Sequence, residues 1–273
     1  MSLKICATPI GNLKEASPRL IEVLRTVDMI AAEDTRHTRK LLTHFDIGTR
    51  MMHYSDHHGA KGLEEIIALL KEGKQVALVS DAGMPLISDP GYELVRRLVE
   101  EGLEWEVISG PSALINALVL SGLPTQPFYF EGFLPRKKME RRRKLASLRE
   151  MEATLIFYEA PTRLQVVLED MLLIFGNRRM ALCRELTKMH EEVIRLTLCE
   201  AADKWKEEEL PRGELVLVVD GAGEKKAVGS VEDALRELLG IGFTKKEAIQ
   251  LVAAERGVSK REVYRAALKL EEI

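Results

Sequence analysis

One stretch constrains this chain more than any other. Gln75–Val79 reads as a buried parallel strand and Tyr92–Val99 as a helix, and the segment between them runs Ser80-Asp81-Ala82-Gly83-Met84-Pro85-Leu86-Ile87-Ser88-Asp89-Pro90-Gly91. A plain strand-to-helix connection needs only about two to six residues. A longer one, stiffened by prolines and bearing two carboxylates, reads as a ligand loop at the carboxyl end of a strand, where open α/β sheets bind their ligands. The loop has no Lys or Arg, so it suits a ligand that is neutral or cationic at that point rather than a phosphate.

The same alternation runs through the first half of the chain. Leu3–Ala7, Met29–Ala32, Met51–Tyr54, Val76–Val79 and Trp105–Ile108 read as strands, separated by helical stretches after Ser17-Pro18 and near 36–44, 61–72 and 91–102. Such a rhythm predicts a mainly parallel sheet covered by helices on both faces. A second α/β unit follows Ser121-Gly122-Leu123-Pro124, with apolar runs at 127–130, 154–158, 180–183 and 215–219. A polar, glycine-bearing linker at Asp220–Lys226 leads to a helical tail. There, Thr244-Lys245-Lys246-Glu247 and Ser259-Lys260-Arg261-Glu262 form two capping boxes fifteen residues apart, in a pattern like a helix-turn-helix. The expected divisions are 1–117, 118–221 and 222–273.

Composition narrows the setting. Net charge is −3, so any nucleic-acid contact must come from a local patch. Cys6, Cys183 and Cys199 show neither metal nor disulfide spacing, and the chain opens into Leu3-Lys4-Ile5-Cys6-Ala7 with no signal-peptide pattern. No apolar run reaches the roughly 18 residues of a membrane span. A soluble protein of a reducing cytosol is expected, with no metal and no membrane partner.

Several segments carry candidate chemistry, each beside a plainer reading. No G-x-G-x-x-G follows the first strand, and no P-loop occurs, which removes the usual dinucleotide and ATP signatures. Ser109-Gly110-Pro111-Ser112-Ala113 is either an ordinary turn capped by Ser112 or the wall of a crevice shared with the acidic loop. Glu33 and Asp34 end the second strand, where they can orient a hydroxyl and take its proton or simply cap the next helix. Tyr54-Ser55-Asp56-His57-His58 reads as a polar loop rather than a metal site. Arg136–Lys144 holds seven basic residues in nine; it is a solvated helix face or a contact for a polyanion. Lys188 either touches a phosphate or a ribose hydroxyl, or it or Arg184 pairs with neighbouring Glu185 or Glu191. Phe157 and Tyr158 close another strand and are more often core than ligand wall.

Taken in order, Ala7-Thr8-Pro9-Ile10-Gly11-Asn12-Leu13, Ala32–Arg36, Ser80–Gly91, Gly110–Ala113, Glu131-Gly132-Phe133-Leu134-Pro135, Tyr158-Glu159-Ala160-Pro161, Arg184–Lys188 and Arg212-Gly213-Glu214 resemble the tetrapyrrole methylase superfamily, specifically its branch that methylates ribosomal RNA of the small subunit. The resemblance runs from about residue 3 to 219, and the tail matches that branch's C-terminal extension. It implies two α/β domains with S-adenosylmethionine in a cleft between them, and methyl transfer to the ribose 2′-hydroxyl of a cytidine in the decoding region of 16S rRNA. It further implies a homodimer. By position it assigns the cofactor to Asp81, Gly83, Met84, Pro85, Leu86, Ile87, Ser88, Ser112, Ala113, Phe157, Tyr158, Leu215, Val216 and Leu217. Met84 stands where relatives often carry aspartate. The substrate falls to Pro9, Gly11 and Asn12, with Arg36, Arg136, Arg141, Arg142, Arg143 and Arg184 toward RNA. Because the sulfonium is cationic, an acidic loop suits it. Because a 2′-hydroxyl is a poor nucleophile, Glu33 or Asp34 is expected as its base, with Lys188 or Arg36 steadying ribose or phosphate. Two rival functions fit the same residues: a porphyrinoid methyltransferase of the same superfamily, and a non-enzymatic regulator reading DNA through the tail.

Overall fold

A computed structural model describes residues 2–56, 60–223 and 230–269; His57, His58 and Glu224–Lys226 of the linker lie outside these. The chain divides into two compact units. The first holds residues up to Leu120 together with Cys183–Val193 and Glu214–Val216; the second holds Ser121–Leu182, Ile194–Gly213 and the chain from Leu217 onward.

In the first unit, β1 (Leu3–Cys6), α1 (Pro18–Thr26), β2 (Met29–Ala32), α2 (Thr35–His44), β3 (Met51–His53), α3 (Ala60–Lys71), β4 (Val76–Val79), α4 (Tyr92–Glu101), β5 (Trp105–Ile108) and α5 (Ala113–Ser121) alternate without a break. The sheet order is β3-β2-β4-β1-β5, and its pairings are parallel. Parallel strands are buried on both faces, and successive residues take opposite sides. Cys6, Ile30, Ala32, Ala77 and Val79 pack under Leu20 and Leu24 of α1 and Leu41 and Leu42 of α2. Leu3, Ile5, Ala31, Val76 and Leu78 pack under Ile66 and Ile67 of α3 and Leu94 and Leu98 of α4. α1 begins as its sequence predicts, with the Ser17 hydroxyl accepting the Leu20 amide at 3.1 Å and Pro18 at the first helical position.

The second sheet has the order β6-β7-β10-β8-β9, from β6 (Phe128–Phe133), β7 (Thr154–Glu159), β8 (Arg179–Arg184), β9 (Glu192–Thr197) and β10 (Leu215–Val219). β6 and β7 run parallel, with an irregularity between Phe130 and Gly132. α6 (Lys138–Leu148), α7 (Leu164–Phe175) and α8 (Leu198–Glu207) accompany it. The tail contains three described helices, α9 (Val231–Gly240), α10 (Lys245–Arg256) and α11 (Lys260–Lys269), one more than the two capping boxes predict. α9 has a capping box of its own between Ser230 and Asp233. Among the described residues no helix is long and apolar enough to cross a membrane.

Candidate active site

The carboxyl ends of the first sheet's strands are tied to one another by backbone bonds. Thr8, just past β1, exchanges two hydrogen bonds with Gly83 of the acidic loop, at 2.9 and 3.1 Å. Beside them, the Asp34 amide donates to the Asp81 carboxylate at 3.1 Å, and the Asp81 amide lies 3.4 Å from the Glu33 carboxylate. Past β5, a Cβ on Gly110 would lie 2.9 Å from the Ala7 Cβ, so only glycine lets the ends of β1 and β5 come this close. The loop itself is tightly specified. Gly83, Leu86, Ser88 and Gly91 all have positive φ, a conformation that costs non-glycine residues energy and persists only where the surroundings enforce it. Asp56 supplies part of that enforcement: one carboxylate oxygen accepts the Gly91 amide at 3.0 Å and the other accepts the Tyr54 hydroxyl at 2.8 Å. Met84 and Leu86 pack against the core beneath. Pro85 is buried, while Ile87 and Ser88 are exposed.

Three carboxylates crowd this end of the sheet in different states. Burial, reinforced by Asp81, raises the Glu33 pKa. Burial likewise pushes Asp89 up to about 6; Ser80 opposes it, and Glu33 and Asp81 add to it. Asp34 goes the other way. The Arg36 guanidinium grips it at 2.8 and 3.2 Å, and it accepts the Arg36 amide as N-cap of α2, which holds its carboxyl far below the usual range. Asp34 is therefore occupied as cap and ion-pair partner, and Glu33 is the carboxylate whose electrostatics suit a base.

A second set of residues meets the loop after β1. The Asn12 amide donates to the Thr187 hydroxyl at 3.2 Å. A Cβ on Gly11 would stand 2.4 Å from Lys188 Cγ and 2.9 Å from Thr187 Oγ1. Glu185 and Thr187 both take positive φ, folding Arg184–Lys188 into a tight hook. Lys188 reaches Glu185 at 2.8 Å and Glu214 at 3.1 Å. Burial works against its charge, and these two carboxylates outweigh that, so its pKa is raised and it stays an ammonium. Arg184 pairs with Glu192 at 3.1 Å. Pro9 is buried beside Thr8, and the Ser112 carbonyl accepts the Asn116 amide at the start of α5, where Ala113 is partly buried.

The other expected residues have different surroundings. Leu215, Val216 and Leu217 are buried within β10, and Phe157 is fully buried in β7. The neighbouring Tyr158 ring meets Phe130 and Phe133 edge-on, at 4.9 and 5.7 Å between centroids.

The basic run is corrected most. Arg141 is only 5 % exposed, and with Arg142 it grips the buried carboxylate of Asp170, each at 2.7 Å. Arg142 also donates to the Ile241 carbonyl at 2.7 Å, and Arg143 pairs with Glu247. Arg141 and Arg142 fasten α6 to α7 and to the tail and are not free to bind phosphate, whereas the Arg143 side chain is half exposed in its pair with Glu247. The exposed cations in the run are Arg136, Lys137, Lys138 and Arg143. Sequence reasoning also passed over Asp56, Thr8 and Thr38 as site residues. The first two act through backbone bonds that no spacing announces.

The fold and its loops define a tetrapyrrole methylase. The family model for Tetrapyrrole (Corrin/Porphyrin) Methylases matches residues 3–202. The solved structure of uroporphyrin-III-C-methyltransferase from Thermus thermophilus superposes with a TM-score of 0.57 at 19 % identity, covering 80 % of this chain and 93 % of that one. Cobalt precorrin-4 methyltransferase gives 0.58 at 16 %, over 80 % and 94 %. At those identities the likeness concerns fold alone. Much nearer in sequence is the ribosomal RNA small subunit methyltransferase I of Halalkalibacterium halodurans, 49 % identical over 96 % of this chain and 93 % of its own length. Its namesake in Synechocystis is 45 % identical over 98 % of both chains. The chain belongs to the ribosomal RNA small subunit methyltransferase I family. A further relative, from Thermotoga maritima, is 47 % identical over 80 % of this chain yet 98 % of its own length; the share it leaves unmatched is about as long as the helical tail.

Proposed function

We propose that this protein transfers the methyl group of S-adenosylmethionine to the ribose 2′-hydroxyl of a cytidine in the decoding region of 16S rRNA. The observation that carries the reading is the ring of tied loops at the carboxyl end of the first sheet, in a chain so close to its namesakes. The donor fits what is there. The Asp81–Ser88 loop carries a carboxylate and no Lys or Arg, and Gly83, Leu86 and Ser88 hold its backbone at positive φ. Asp81, Gly83–Ser88, Ser112 and Ala113 would hold the donor, with Leu215 and Val216 also in the first unit. When bound, the donor supplies an electrophilic methyl on a cationic sulfur.

What the chain's own residues contribute is alignment and proton handling. Holding a nucleophile in line can account for a large share of such a rate enhancement. Glu33 accepts the 2′-hydroxyl proton, its raised pKa bringing it nearer the working pH. Lys188, charged and fixed by Glu185 and Glu214, steadies the ribose or its phosphate on the platform of Pro9, Gly11 and Asn12, with Arg184 close by in the same hook. Arg36 lies at the exposed rim. RNA beyond the target meets Arg136, Lys137 and Lys138 and the tail's exposed Lys246, Lys260, Arg261 and Arg265. The working form is a cytoplasmic homodimer; exposed Trp105 and Val107 on β5 and Ile115 and Val119 on α5 supply apolar surface for a second copy.

The test is to incubate the protein with radiolabelled S-adenosylmethionine and small subunits lacking the modification, then map the label. Label on a cytidine 2′-oxygen of 16S rRNA is expected. Label on a base, or transfer to a porphyrinoid instead, contradicts the reading.

A further inference from the structure

A pocket of about 200 Å³ opens between the loop after β1, the helix α2 and the end of β4. The roles proposed for donor and catalytic residues leave it unfilled. Pro9, Leu13 and Leu41 give it apolar walls. His37 and Lys40 stand exposed at its mouth, and Asp81 forms one side. Thr38 lines it as well. That residue is 3 % exposed, and its hydroxyl has no hydrogen-bond partner. Buried hydroxyls are nearly always bonded, so one left without a partner in a pocket wall points to a ligand that bonds it.

Size and chemistry narrow the ligand. Sites for drug-sized molecules take about 300–1,000 Å³, so this pocket admits one small ring system and excludes a whole S-adenosylmethionine. Apolar walls suit the faces of a heterocycle, the Thr38 hydroxyl can donate to or accept from its edge, and Lys40 at the mouth matches a phosphate. Among the described residues Lys40 has no acidic partner. RNA is read mainly through bases that are unstacked and turned outward. We infer that the pocket receives the pyrimidine base of the nucleotide being methylated, turned out of the RNA, with Thr38 bonding the base edge and Lys40 the adjoining phosphate. Asp81 is shared between this pocket and the bond to Glu33, so a base seated here carries its sugar toward the proposed base catalyst. The inference rests on the methylation reading for the identity of the substrate; the pocket's affinity for a pyrimidine nucleotide can be measured without it.

The experiment titrates cytidine 5′-monophosphate into the full-length protein and follows the imidazole signal of His37 by NMR, assigned with His37→Gln. A saturable shift is expected with cytidine monophosphate and a much weaker one with adenosine monophosphate. Thr38→Val weakens binding about three- to tenfold, the worth of one neutral hydrogen bond. Lys40→Gln abolishes the preference for the monophosphate over cytidine. In methylation assays Thr38→Val raises KM for RNA by a similar factor and leaves donor affinity unchanged. If His37 stays still at millimolar cytidine monophosphate and Thr38→Val keeps the wild-type KM, the pocket assignment is overturned even where methylation proceeds. If the nucleotide binds as described but no RNA is methylated, the pocket stands and the methylation reading is what fails.

Discussion

Gly11 and Lys188 approach so closely that a single added carbon on the glycine would sit 2.4 Å from the lysine's Cγ. Residues far apart in the chain are thereby fitted against one another, and the lysine's ammonium is aimed by Glu185 and Glu214. Replacing Gly11 with alanine must push the Arg184–Lys188 hook outward. Because Gly11 is exposed, the cost to stability is small, about 1 kcal/mol, toward the low end of overpacking. Misplacing a positioning group by about 1 Å can cost about a hundredfold in rate, so methylation is expected to fall at least about tenfold while the melting temperature drops only slightly. Calorimetry and single-turnover kinetics on the same preparation check both halves.

Glu33 and Asp34 are neighbours with opposite electrostatics. Glu33→Gln is expected to lower the single-turnover rate by about 10²–10⁴, the usual range for losing a general base. Asp34→Asn keeps a good N-cap and loses only the Arg36 pair, so its rate stays within a few fold of wild type. Lys188→Met raises KM for RNA more than it lowers kcat. Equal effects from Glu33→Gln and Asp34→Asn would remove the base assignment.

Asp89 gives stability a pH dependence of known sign. Its pKa in the folded chain is about 6, against an ordinary 3.8. Between those values the folded state binds the proton more tightly than the unfolded state, so unfolding is hardest at low pH and this contribution is lost as pH rises through 6. Urea unfolding at pH 4.5, 5.5 and 7 should show Asp89→Asn gaining on wild type as pH rises. A constant difference across that range would show that Asp89 is not the group responsible.

Asp170 holds two arginines, and all three side chains are largely shielded from solvent. Removing one member of a buried pair strands the other's charge and costs about 3–5 kcal/mol. Asp170→Asn should therefore lower the urea midpoint sharply. Arg141→Met combined with Asp170→Leu should recover part of that loss, because Arg142 alone, rather than both arginines, is then left without its carboxylate.

The exposed tail cations predict a salt effect. Neutralising Lys246, Arg261 and Arg265 together should weaken RNA binding. The slope of log affinity against log salt should fall by about 0.7–0.9 for each phosphate that the variant no longer neutralises. An unchanged slope would take the tail out of the RNA interface.

Much of the fold was legible because its strands are short, apolar and bounded by turn residues: Val76–Val79 and Leu215–Val219 are buried on both faces, and their sequences say so. The acidic loop was legible from its length and its two carboxylates. Other features were hidden for physical reasons. A run of arginines reads as solvated, since the sequence does not show that Asp170, 29 residues after Arg141, lies opposite it in the interior. β9 is only partly buried, and its adjacent Val193 and Ile194 break the polar–apolar alternation, so Glu192–Thr197 carries little strand signal of its own. The split between Glu33 and Asp34 depends on which carboxylate Arg36 reaches, a matter of side-chain geometry. Thr38 reads like any threonine in a helix, and only the pocket beside it sets it apart.

Methyl transfer by this chain depends above all on where the donor binds. The most direct measurement is a crystal structure of the full chain with S-adenosylmethionine. It is predicted to show the donor against Met84–Ser88 and Ser112, with its methyl facing Glu33 and the Pro9–Asn12 loop. Donor density remote from that loop, or a loop left bare at saturating donor, would contradict it.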